Sequence, residues 1–225
     1  MPDAPRIAPP RVIDRADGYP GDLGPRELAE ALRFTGEWDG LDLTDAVLDE
    51  CELDGVSIEE FLLRGIRISE TVITSLNAPA LSAPHSQWRE VRVERSRIGS
   101  AELYESEWTS VRISASKLGY VNLRAASLTD VAFDGCTIDE LDLARVTASR
   151  VSLRNCSIGT LDVRGATLAN VDLRGAEFST VNGIAGLKGA TIDGMQLSMF
   201  APLLAVELGI DVDDSAPVES GIVEA

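Results

Sequence analysis

An apolar side chain recurs at every fifth position of this chain for most of its length. From Leu43 the column reads Leu48, Leu53, Ile58, Leu63, Ile68 and Ile73. It passes through Ala78 and Ala83 and resumes in the same register as Trp88, Val93, Ile98, Leu103, Trp108, Ile113 and Leu118. It runs on through Leu123, Leu128, Phe133, Ile138, Leu143, Ala148, Leu153, Ile158, Val163, Leu168 and Leu173 to Phe178 without one polar residue. A helix has a period of 3.6 and a strand a period of two, so neither by itself sustains this pattern. A fixed short period means a unit that stacks on copies of itself, a solenoid.

A second column lies two residues earlier in each unit. From Ser86 it alternates small and larger: Ser86, Val91, Ser96, Ala101, Ser106, Val111, Ser116, Val121, Ala126, Val131, Cys136 and Leu141. Val146 is the clear departure, and the alternation returns with Cys156, Leu161, Ala166, Val171, Ala176 and Val181. The unit is therefore small or aliphatic, polar, large apolar, then two polar or turn residues, as in Val171-Asp172-Leu173-Arg174-Gly175.

This unit resembles the motif of the pentapeptide-repeat family, Ala-(Asp/Asn)-Leu-x-x, over about residues 38–197. The resemblance implies an all-β solenoid, a right-handed quadrilateral β-helix of pentapeptide repeats. It has about seven to eight coils, with both apolar columns pointing inward. With four units per coil, residues twenty apart stack. Trp88 then lies above or below Trp108, with Ala78 and Ala83 making room for the rings. Cys136 stacks with Cys156 at a strand spacing of about 4.8 Å, as packing rather than as a disulfide. The stretch 77–86 carries Pro79 and Pro84 in an unbroken register, either as a distorted pair of units or as a small bulging loop.

Both ends of a β-helix need covering. Residues 1–22 read as a flexible proline-rich arm. Residues 23–37 read as an N-terminal helical cap, in which Leu28, Ala31 and Leu32 face the first coil. The repeat domain spans 38–197, its last units (Leu187, Ile192, Leu197) in a shifted register after Gly183. Residues 198–212 read as a C-terminal helical cap stopped by Gly209, and 213–225 as a disordered acidic tail. In some members of the family such a helix also pairs two solenoids into a homodimer; Phe200, Leu203, Leu204 and Leu208 are the residues for it here.

Nothing in the sequence carries a reaction. His85 is the only histidine, and Cys51, Cys136 and Cys156 are unclustered and lack metal-ligand spacing. No phosphate loop, dinucleotide fingerprint or nucleophile elbow occurs. The expectation is a protein with no enzymatic activity, no cofactor and no metal. The start has no apolar stretch behind a basic head and no run approaches a membrane span, which reads as cytoplasmic.

The formal net charge of −17 argues against direct binding to nucleic acid or anionic membrane; it serves solubility and permits a basic protein partner. Residues 36–60 hold ten acids and no base: Glu37, Asp39, Asp42, Asp45, Asp49, Glu50, Glu52, Asp54, Glu59 and Glu60. Residues 61–197 balance, fifteen acids against fifteen bases. The first expectation is a non-catalytic interaction or scaffold module that meets its partner through this acidic coil, a mixed-charge face or the C-terminal helix. The alternative comes from a distant likeness to family members that imitate double-stranded DNA, binding DNA gyrase or another type II topoisomerase. Seven coils span roughly 34 Å, and duplex DNA of that length carries about 20 phosphate charges. The net charge of −10 over residues 36–197 is half of that, and its mixed signs suit mimicry poorly.

Overall fold

Residues twenty apart are hydrogen-bonded neighbours along nearly the whole chain. In the computed structural model, which describes residues 1–8, 11 and 13–213, Ile68 pairs with Trp88 and Trp88 with Trp108. Leu118 pairs likewise with Ile138, and Ile158 with Phe178. Every pairing among the described residues is parallel, so the chain advances by stacking one coil of four five-residue faces on the next. The first face carries Leu43, the second Leu48, the third Leu53 and the fourth Ile58. The repeat and the coil together make this a pentapeptide-repeat solenoid, the architecture that the resemblance implies.

Three of the four corners bend through a left-handed residue at the end of each unit. Examples are Glu105 (φ 55°), Asp130 (φ 57°) and Ala115 (φ 48°). Such a conformation costs an L-residue about 1–3 kcal/mol, but its amide is bonded to the neighbouring coil. Glu105 N–H donates to the Arg124 carbonyl and Ala115 N–H to that of Asp134, both at 2.9 Å. The corner between the fourth and first faces is crossed by continuous strand instead, as in Lys117–Asn122 and Thr137–Asp142.

The five-residue column fills the interior: Leu123, Phe133, Leu143 and Leu153 are all at most 6% exposed. From Ser86 onward the other inward column on the second and fourth faces is small, Val146 excepted, and its serines are satisfied locally. The hydroxyls of Ser86 and Ser106 donate to the Ala83 and Leu103 carbonyls at 2.7 and 2.6 Å. Ser96 Oγ accepts from Leu76 N–H at 3.1 Å. Buried hydroxyls are tolerated where a backbone partner is in reach. Trp88 and Trp108 stack with centroids 5.1 Å apart, and Trp88 Nε1 donates to Ser86 Oγ at 2.9 Å. Cys51, Cys136 and Cys156 are free and buried.

The proline stretch forms no bulging loop. Asn77–Ser82 is a regular strand whose register passes over Pro79. Pro84 precedes left-handed His85, the place in a turn where proline's fixed φ fits.

The N-terminal end differs from expectation. Residues 23–37 hold no α-helix: Leu28–Glu30 and Leu32–Trp38 are strands that pair with the next coil. Ala29, Phe34 and Trp38 point inward, whereas Leu28 is 63% exposed. The register shifts at Gly36 (φ 96°), so this coil is one residue short and its apolar column steps by four between Phe34 and Trp38. That shift conceals the repeat before residue 38 and brings the solenoid to about nine turns. The chain before it is the cap. Ala16–Asp17 adds a strand to Leu32–Arg33, and Gly18 lies so close over Phe34 that a Cβ would meet its ring at 2.4 Å. The arm before residue 16 is not detached either, for its described residues lie along the solenoid, as set out below.

At the C-terminal end the repeat also ends earlier than expected. After a short 3-10 turn, Ile184–Leu187, and a last strand, Ala190–Thr191, helix α1 runs from Gly194 to Glu207. Leu187 and Ile192 pack on the core, but Leu197 lies on the helix and is half exposed. The start is fixed by a capping box in which Asp193 accepts from Gln196 N–H and Gln196 Oε1 accepts from Asp193 N–H. Pro202 therefore sits inside the helix rather than in its first turn. The disordered tail expected over 213–225 falls, from residue 214 onward, outside the described residues.

Candidate interaction surfaces

The ten acids of residues 36–60 divide into two groups. Glu50, Glu52 and Asp54 lie on the third face and its corner, where arginines from earlier in the chain meet them. Arg11 pairs with Glu50 at 2.9 Å, Arg15 with Glu52 at 3.7 Å and Arg33 with Asp54 at 2.6 Å. Asp49 accepts from the Ser69 hydroxyl. These four are half-buried. Sequence spacing could have shown Arg33 as a partner, since it stands nineteen residues before Glu52 on a coil one residue short.

The remaining six are exposed. Asp42 and Asp45 lie on the first face. Asp42 accepts from the Thr44 hydroxyl at 2.6 Å and from its N–H at 2.9 Å, which hold its carboxyl below the usual range. Glu37, Asp39, Glu59 and Glu60 gather where the fourth face meets the first. Three of them, with Trp38, Gly40, Ser57 and Ile58, line an open cleft of about 580 Å³. That corner is two faces round the coil from Glu50. The acidic coil is therefore not a continuous belt: one side is neutralised by the chain itself and the other is open.

Further along the solenoid, several carboxylates are folded into the turns. Asp142 and Asp162 are 3% and 4% exposed, and each accepts a backbone N–H two residues on. Arg124 pairs with Asp142 at 2.6 Å, and Arg164 closes on Asp162. Asp172 is bound in the same way by Arg174, and Asp130 by Arg150. The guanidinium bonds hold Asp130, Asp162 and Asp172 below the usual carboxylate range against the opposing effect of burial.

The residues expected to form a dimer or cap surface also separate. Phe200 is buried against Phe178, with ring centroids 6.1 Å apart, and Leu204 packs on the core, so these two cap. Leu203 and Leu208 are exposed, with Met195, Leu197, Met199 and Val206 around the same helix. Leu203 and Met199 border a groove of about 190 Å³ over Phe178 and Val181.

Among the described residues no group of three or more His, Cys, Asp or Glu side chains is arranged to hold a metal ion, and no helix is long and apolar enough to cross a membrane. His85 Nδ1 lies 3.3 Å from Glu105 at an exposed corner. Cys136 and Cys156 share a hydrogen bond, so they do not both ionise readily. The Cys156 thiol is raised above its ordinary range, first by that bond and then by burial.

No family model matches the chain, and no curated protein matches it. Solved structures give distant likenesses. A trypsin-treated variant of QnrB1, a plasmid-mediated fluoroquinolone resistance protein, is 20% identical over 84% of this chain and 92% of its own, with a TM-score of 0.38. HetL, a pentapeptide-repeat protein involved in heterocyst differentiation regulation from the cyanobacterium Nostoc sp. strain PCC 7120, is 16% identical over 76% of this chain and 91% of its own, with a TM-score of 0.25. At these values neither bears on the partner of this chain.

Proposed function

We propose that this solenoid is a non-catalytic protein-interaction module whose open acidic corner, Glu37, Asp39, Glu59 and Glu60, receives a basic surface of a protein partner. The observation that carries this reading is the contrast in pairing. Asp54, Asp130, Asp142 and Asp172 are met by arginines, whereas Glu37, Asp39 and Glu59 line one cleft with Glu60 beside it, all four exposed and none in an ion pair with a base among the described residues. Unpaired charge gathered in one place speeds encounter with an opposite charge and selects against like-charged partners.

The same pairing weighs against the alternative of double-stranded DNA mimicry, which needs free negative charge repeated along the axis. Two measurements test the reading together. The variant Glu37→Gln, Asp39→Asn, Glu59→Gln and Glu60→Gln is compared with the wild type in cross-linking capture from source extract. A protein enriched by the wild type and lost by about tenfold or more with the variant is expected. An identical captured set would remove the proposal. In a purified supercoiling assay, inhibition of gyrase by the wild type, equal in the variant, would replace it with mimicry.

Pairing of two copies through α1 is favoured by one observation, the exposed apolar side chains of Leu203, Val206 and Leu208 on a helix that already caps with its other side. Leu203→Ser with Leu208→Ser is expected to lower the mass in solution from dimer to monomer by light scattering. A wild-type monomer at high concentration would end this part.

A further inference from the structure

The N-terminal arm is seated along one corner of the solenoid. Asp3 N–H donates to Asn170 Oδ1 at 3.4 Å, Arg6 N–H to Asp130 Oδ1 at 2.8 Å, and Ala8 N–H to Ser110 Oγ at 2.9 Å. The Ala8 carbonyl accepts from Arg92 Nη2 at 2.6 Å. Arg11 pairs with Glu50 and Glu70 at 2.9 and 2.7 Å. Residues 50, 70, 110, 130 and 170 all belong to the corner between the second and third faces, so the arm runs along the axis towards the N-terminal coils.

The fit has a metric basis. An extended chain advances about 3.3 Å per residue and the coils about 4.8 Å, so three arm residues match two coils. Asp3 and Arg6, three residues apart, meet Asn170 and Asp130, two coils apart. The corner supplies side-chain acceptors for main-chain N–H groups at Asn170, Asp130 and Ser110, and its Glu50, Glu70, Glu90 and Asp130 favour arginine. Pro5 stands between the bonded amides, where no donor is used. Beneath the arm, Arg92 is half-buried, and its buried Nε has no partner among the described residues. Yet none of residues 1–8 is fully buried, and the arm joins the sheet only at Ala16.

We infer that this corner is a binding groove for an extended, arginine-bearing peptide segment of a partner protein, and that the arm is its resident competitor in cis. The partner docks by displacing the arm. The groove lies diagonally across the coil from the open acidic corner, so its test stands apart from the proposed function.

The probe is a fluorescently labelled peptide of residues 1–15. The full-length variant Arg6→Pro, Ala8→Pro and Arg11→Ala removes two arm donors and both ion pairs of Arg11 while leaving the groove untouched. The peptide is expected to bind this variant at least tenfold more tightly than the wild type, and adding Asp130→Ala is expected to weaken that binding about tenfold. Equal binding to wild type and variant, no binding to the variant, or equal binding of a scrambled peptide would each overturn the inference. A second readout uses the wild type with a dye on its N-terminal amine. Excess unlabelled peptide is expected to lower the dye's anisotropy as the arm is released, and an unchanged value counts against the proposal.

Discussion

Close backbone approach decides which small residues the coil requires. At Gly119 a Cβ would stand 2.1 Å from the Gly99 carbonyl oxygen, and at Gly99 2.5 Å from that of Pro79. The neighbour is main chain, so it cannot swing aside. Gly119→Ala is expected to destabilise the fold by about 1–3 kcal/mol, read as a lower urea midpoint. Gly21→Ala, where nothing lies within 4 Å, is expected to leave the midpoint in place. The turn carboxylates supply a pH dependence. Asp130, Asp162 and Asp172 ionise more readily folded than unfolded because arginines bond them. Their contribution is complete above the unfolded value of about 3.9 and is lost as pH falls through the lower folded values. The thermal midpoint is expected to stay level from pH 7 to about 5 and then fall, less steeply in Asp172→Asn. An acid limb unchanged by that substitution would disprove the assignment.

Helix α1 closes the last coil with Phe200 and Leu204 on the core and one side chain on its carbonyls. Gln196 Nε2 donates to the carbonyls of Leu173 and Ala176 at 2.6 and 2.8 Å, and the residue is 5% exposed. Gln196→Ala leaves the Ala176 carbonyl buried and unpaired, which costs about 1–3 kcal/mol, while the Leu173 carbonyl keeps the Ala176 N–H at 3.1 Å. In a stacked array each coil depends mainly on its neighbours. Amide exchange is therefore expected to quicken over residues 173–182 and stay unchanged over 103–123. Uniform quickening would mean that the solenoid unfolds as one unit.

At the scale of the whole molecule the surfaces are spread around the rod. The open acidic corner lies near the N-terminal end, the exposed apolar side of α1 at the other, and the arm along the diagonal corner. Salt separates the first two, since screening weakens contacts between exposed charges and leaves apolar contact largely intact. Raising salt from about 50 to 500 mM, which shortens the screening length severalfold, is expected to release a partner held at Glu37 and Asp39 but not a second copy held at Leu203. Loss of the dimer mass at high salt would place charge, not apolar burial, in that interface.

The five-residue column was enough, by itself, to fix a solenoid, because one repeated local rule generates the same coil each time. The four-sided coil that turns the column inward and stacks Trp88 on Trp108 came from the family resemblance. Its resolution ended where the rule did. A coil one residue short hid Ala29, Phe34 and Trp38 and let residues 23–37 read as a helix, although ladder pairing with the next coil holds them extended. The ten acids were legible as a cluster, but their division was not, because Arg11 and Arg15 reach Glu50 and Glu52 only once the chain has folded back on itself, and Arg33 meets Asp54 across a coil whose missing residue the repeat did not show. The arm read as loose for the same reason. Its partners, Asp130 and Ser110, stand more than a hundred residues away, and only stacking brings them to one corner.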